Sequence, residues 1–178
     1  GIVIDKTIGS SAMPRNIENA KILLIDDDLE PTRTKTDAQI IGNSYKEIQN
    51  FVKAESDIIS NKVQKIIESG ANVVISRKGI NLRACEYFAK ARIISIKRVK
   101  ENDLFWLEKS TGAKIINDVN SLQLENFLGF AGKVYEKLVG DDKMVFLDEC
   151  KDPKAVTLLI RANSKVILDE LHRTILSA

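Results

Sequence analysis

An α/β fold is what this sequence predicts: a sheet body flanked by helices, with antiparallel strands near the C-terminus and an excursion near residues 27–54. Three observations carry that prediction. After residue 70, short apolar runs alternate with amphipathic stretches. The apolar runs VVIS and IISI are almost uniformly hydrophobic, as strands covered on both faces must be. Beyond residue 130 the rhythm changes to strand-like runs separated by tight polar turns, the mark of hairpins.

Taken in order, IVID (2–5) reads as a strand, followed by the loop GSSAMPRN and the strand KILLID (21–26). Residues 44–70 have the 3.6-residue period of one long helix. ANVVISR (71–77) is a strand and INLRACEYFAKA (80–91) an amphipathic helix. RIISIKRV (92–99) is again a strand, and ENDLFWLEKSTG (101–112) a helix with Asn102 or Asp103 near its cap and Gly112 at its exit. AKIIND (113–118) gives a third strand of this series, so strand and helix alternate with short connections, as in a parallel sheet covered by helices. GKVYEKLVG (132–140), DKMVFLDE (142–149) and AVTLLIRA (155–162) form the antiparallel part, and residues 164–178 close the chain as a helix with Ser164 as its cap.

Composition narrows the function classes. The chain has 178 residues, 44% hydrophobic and 29% charged, with a formal net charge of +2. That supports one sizeable core and disfavours nucleic acid as a partner, because phosphate recognition concentrates basic excess. The short basic run Lys97, Arg98, Lys100 is followed by Glu101 and Asp103 and reads as a solvated corner. No apolar run approaches the ~20 residues of a membrane span, and no signal peptide is expected. Two cysteines, Cys85 and Cys150, are too few for a disulfide framework and fit a reduced, cytoplasmic setting. Gly1, leading straight into IVID, is expected of a piece excised from a longer polypeptide.

Chemical motifs are sparse. Asp26 and Asp28 close the strand ILLI, which resembles the carboxylate pair of a small metal-dependent phosphatase-like enzyme. Glu30-Pro31 stands where such enzymes carry Thr or Val, so a solvated strand end is the plainer reading. His172 is the sole histidine, which excludes a histidine-rich metal cluster. Cys85 shares a helix face with Phe88 and reads as core. No GxGxxG, GxxxxGK[ST] or GxSxG motif occurs, and no catalytic, cofactor or metal residue is assigned.

The long helix poses the main question. About 26 residues make a rod of roughly 39 Å, against a radius of gyration near ~16 Å for a body of this length. Ile58, Ile59, Val63, Ile66 and Ile67 follow one buried face, whereas Tyr45, Ile48, Phe51 and Val52 adjoin only a polar segment. Either the front end folds down over the body, or it projects and serves another chain. The residues alone leave both open.

GIVIDK, MPRNIENAKILLIDDDLE, GANVVISRKGINLRACEYFAKARIISIKRV and DKMVFLDECKDPKAVTLLIRA, in this order over essentially the whole chain, resemble the apical domain of group II chaperonins, the family of the archaeal thermosome and the eukaryotic cytosolic chaperonin. Abundant Ile, Lys and Glu with few Gln lean towards a thermophilic archaeal member. The resemblance implies a single apical domain over 1–178 with a projecting helical protrusion, a built-in lid, at about 27–54. Its apolar content would be Leu29, Ile40, Ile41, Tyr45, Ile48, Phe51 and Val52. It also implies binding of unfolded polypeptide on the outward face of the 80–91 helix. On a helical wheel Ile80, Ala84, Cys85 and Phe88 turn to the sheet, leaving Leu82, Arg83, Glu86, Tyr87 and Lys90 as client contacts. Neighbouring subunits of a double ring would close their lids together while ATP, with Mg²⁺, is hydrolysed in an equatorial domain outside this sequence. The isolated chain is expected to be monomeric, free of nucleotide and not itself an enzyme, and residues 164–178 would lead back towards an intermediate domain. Two departures stand out. Gly9-Ser10-Ser11-Ala12 replaces a His-Pro-Gly-like stretch, and Arg161-Ala162-Asn163 replaces an Arg-Gly-Gly turn, where Asn tolerates the left-handed conformation glycine supplies.

Overall fold

The computed structural model describes residues 2–31, 45–120 and 123–150. In chain order these form β1 (Ile2–Ile4), β2 (Asn16–Ile25), α1 (Tyr45–Glu68), β3 (Val73–Ser76), α2 (Leu82–Lys90), β4 (Ile94–Ile96), α3 (Glu101–Thr111), a 3-10 turn (Leu124–Phe127), β5 (Gly129–Val139) and β6 (Asp142–Cys150). The strands make one six-stranded sheet in the order β1-β6-β5-β2-β3-β4. β2, β3 and β4 run parallel, while β5 pairs antiparallel with β2 on its other side and β6 and β1 extend the antiparallel half. The hairpin region thus continues the parallel sheet rather than forming a separate layer.

Both faces of the parallel half are covered, which explains the uniformly apolar runs. Ile22 and Leu24 of β2 join Val73, Ile75, Ile94, Leu104 and Leu107 beneath α3. The alternate residues Leu23 and Ile25 join Val74, Ile66 and Phe88 beneath α1 and α2. β5 and β6 are joined by the two-residue turn Gly140-Asp141, since Val139 pairs with Asp142. Gly140 has φ 63°, the conformation a type II′ turn requires at its first position.

Several expectations are corrected. The strand expected over 113–118 reduces to one bridge, Ile25 to Ile116, because β5 already occupies the flank of β2 as far as Ile22. β2 begins earlier than expected, at Asn16. Neither Asn102 nor Asp103 caps α3: the N-cap is Lys100, with no side-chain hydrogen bond. Asp103 is buried, and burial pushes its carboxyl up, with Lys6 opposing and Asp5 adding to the shift. Gly112 ends α3 with φ 78°, as the sequence predicts. The strand and helix expected over 155–162 and 164–178 lie outside the described residues.

Candidate functional site

α2 owes its start to Asn81, whose side-chain oxygen accepts a hydrogen bond from the Arg83 N–H at 3.0 Å. Its inner stripe is Ala84, Cys85 and Phe88, all buried, preceded by buried Ile80. Leu82, Arg83, Glu86, Tyr87 and Lys90 are all exposed, and Leu82 keeps 72% of its surface in solvent. An apolar residue that open on an otherwise well-packed helix is available for contact rather than for folding.

Helix α1 runs beside α2, and between them lies a groove of about 190 Å³. Arg83 and Tyr87 form the α2 wall, Asp57, Ile59 and Ser60 the α1 wall, and buried Val63 and Ala84 lie at its base. Leu82, Glu86 and Lys90 lie outside the groove lining. The α1 wall was not anticipated from the sequence. Its only signal is the small and polar run Ser56, Asp57, Ser60 beside the stripe that starts at Ile59. The groove has a short apolar base flanked by Asp57 on one wall and Arg83 on the other.

The rear of α1 is anchored by Val63 and Ile66, both buried. Ile58, expected on that stripe, is instead 53% exposed. At about 100° per residue it falls roughly 80° outside the arc that runs from Ile66 to Ile67. At the front, Tyr45 is 76% and Val52 55% exposed, Phe51 is exposed and Ile48 half-buried. Leu29, assigned to the protrusion, is a core residue: it is fully buried, bridges to Ile80, and its carbonyl accepts the Asn81 N–H at 2.8 Å. Its backbone extends the parallel pairing of β2 with β3, which sets its side chain in the cluster with Val63, Ile80 and Phe88. Ile40 and Ile41 lie outside the described residues.

The carboxylates around Leu29 are bound to cations from three other segments. Asp26 pairs with Arg77 at 3.2 Å, Asp28 with Lys78 at 3.6 Å and Glu30 with Arg98 at 3.4 Å. Gly79 packs so closely over the Glu30 carboxylate that an added Cβ would lie 2.5 Å from it. Asp27 is the best-held member. It accepts from Lys62 Nζ at 2.9 Å and from the Val119 N–H at 3.0 Å, with little exposure on either side chain. Burial alone would raise its carboxyl, but the hydrogen bonds from Val119, Lys62 and Asp28, helped by the Lys62 charge, hold it below the ordinary range. Asp26 and Asp28 therefore meet separate cations rather than a shared site. Among the described residues no group of three or more His, Cys, Asp or Glu side chains is arranged to hold a metal. Cys150 is half-buried, and burial pushes its thiol up. No described helix is long and apolar enough to cross a membrane.

The comparisons with known proteins agree with one another. A model of the TCP-1/cpn60 chaperonin family matches residues 1–178. Thermosome subunit beta of Archaeoglobus fulgidus is 43% identical over 175 residues, covering 98% of this chain and 32% of the relative. A thermosome subunit of Methanopyrus kandleri is 45% identical over 175 residues, with the same coverage of 98% and 32%. Among solved structures, the open state monomer of a group II chaperonin from Methanococcoides burtonii matches with a TM-score of 0.68 at 35% identity, over 99% of this chain and 38% of that one. The chain spans about a third of the length of these relatives. With the family model matched from end to end and identities above two-fifths to curated members, the chain belongs to the TCP-1/cpn60 chaperonin family.

Proposed function

We propose that this chain is the apical, client-binding part of a group II chaperonin subunit, and that the front of α1 with the residues before it serves as the lid. The observation that carries this reading is the open face of α2, with Leu82 and Tyr87 exposed beside the groove that α1 walls. Unfolded polypeptide presents apolar side chains that a folded protein hides, and a face of one aliphatic, one aromatic and mixed charges holds such segments without demanding a sequence. Burying two such side chains supplies a few kcal/mol at ~25 cal/mol per Å², enough for reversible capture and little enough for release.

In this reading Tyr45, Ile48, Phe51 and Val52, with Ile40 and Ile41, meet the corresponding segments of neighbouring subunits in a double ring. ATP and Mg²⁺ act in parts of the full-length protein outside these residues, and this chain is moved by that work rather than performing it. The site of action is the cytoplasm.

The test is capture of a chemically denatured client, read as suppression of its aggregation by the 178-residue chain. Changing Leu82 and Tyr87 together to Ser should weaken capture several-fold, with the unfolding midpoint nearly unchanged because both side chains are exposed. Undiminished capture would remove α2 from the client surface.

A further inference from the structure

A second pocket lies where the loop between β1 and β2 meets β5 and β6. It measures about 180 Å³ and is lined by Thr7, Ser10, Ser11, Arg15, Glu136 and Lys143, with Ile8 at its base. The strand register puts the charged members on one face. Leu138 pairs with Lys143, Glu136 is two residues from Leu138, and the Glu136 N–H bonds the Arg15 carbonyl at 3.0 Å, so all three project together. Neither Arg15 nor Lys143 forms an ion pair among the described residues.

The loop that rims this pocket is fixed at both ends. The Gly9 N–H bonds the Ser95 carbonyl at 2.9 Å, an approach so close that a Cβ at Gly9 would lie 2.8 Å from the Ser95 hydroxyl oxygen. Met13 is buried. Between them Ser10 Oγ accepts the Ala12 N–H at 3.2 Å, which leaves its own hydroxyl proton to donate. Three hydroxyls, a guanidinium and an ammonium make a donor-rich lining for an anion. Glu136 is the exception. One of its oxygens accepts the Ile8 N–H at 2.9 Å, and the other is an acceptor facing the same space.

We propose that this pocket binds a protonated oxyanion, inorganic phosphate, in preference to sulfate. Phosphate near neutral pH keeps a P–OH that can donate to the free Glu136 oxygen while its other oxygens accept from Arg15, Lys143 and the hydroxyls. Sulfate has no proton to give and meets the carboxylate as a like charge. A hydrogen bond to a charged acceptor is worth enough for at least about tenfold discrimination.

The experiment is an amide chemical-shift titration of the 178-residue chain with sodium phosphate, sodium sulfate and sodium chloride at equal ionic strength. Expected are saturable shifts confined to residues 7–15, 136 and 143 with phosphate, and a response about tenfold weaker with sulfate. Arg15→Gln with Lys143→Gln should abolish saturation. Glu136→Gln supplies an N–H donor in place of the acceptor, keeps an oxygen for Ile8, and should bring sulfate level with phosphate. Equal responses to all three salts, saturation that survives loss of both cations, or an unchanged preference in Glu136→Gln would each overturn the assignment.

Discussion

The two ends of α1 carry similar apolar residues and meet opposite surroundings. Val63 and Ile66, in the rear half, are buried against Leu23, Val74 and Phe88, and Lys62 is locked to Asp27 beside them. Tyr45, Phe51 and Val52, in the front half, lie open. The difference does not come from helix propensity, since both halves belong to one continuous helix. It comes from distance. A helix of 24 residues is about 36 Å long, and β3 and α2 support only its last turns. Beyond that reach, apolar side chains on the same helix stop contributing to the core and become surface.

The largest expected effect sharpens this contrast directly. Ile66→Ala should cost about 3 kcal/mol, since it opens a cavity in a fully packed site. Val52→Ala should stay within ~0.5 kcal/mol. Chemical unfolding of the two variants measures the gap, and equal costs would mean that the front half is packed as firmly as the rear.

Next comes the anchor at the root. Asp27→Asn weakens the bond to Lys62 and should cost about 2 kcal/mol at neutral pH. Because the folded-state carboxyl is held below its ordinary value of 3.8, its contribution is present above that value and fades as pH falls below it. The variant should therefore lose stability at neutral pH and show a flatter decline on acidification, measured as unfolding midpoint against pH. A decline as steep as the parent chain's would show that other carboxylates govern the acid limb.

The smallest effect tests the corrected stripe. Ile58→Ser should change stability by less than ~0.5 kcal/mol, because the side chain is already exposed. A loss of several kcal/mol on thermal unfolding would return Ile58 to the buried face.

How much of this was legible beforehand differs by element. The faces of α2 follow from spacing alone: Ala84, Cys85 and Phe88 are buried while Leu82 and Tyr87 are exposed, because a short helix lying on a sheet has one inward direction. β3 and β4 were legible for a similar reason, being covered on both sides. Ile58 was misplaced because a run of two adjacent isoleucines fits more than one stripe, and only the packing partner chooses. Leu29 was misplaced because its neighbours in sequence are charged, whereas its neighbours in space are Val63, Ile80 and Phe88. The groove wall from Asp57 to Ser60 was missed because a groove belongs to two helices and has no signature in either one.

By itself, then, the sequence determined the periodicities: the helices and most strands of the described residues, the 113–118 run excepted, which side of α2 faces inward, and the residues that carry the family likeness. The tertiary structure decided what distance along the chain conceals. It set the order of the six strands, made the hairpin an extension of the parallel sheet, paired four successive carboxylates with cations from elsewhere, and fixed the point along α1 where core gives way to solvent. Periodicity is a local property of the backbone and can be read residue by residue. Pairing and burial depend on which segments meet, and that is fixed only when the whole sheet closes around its core.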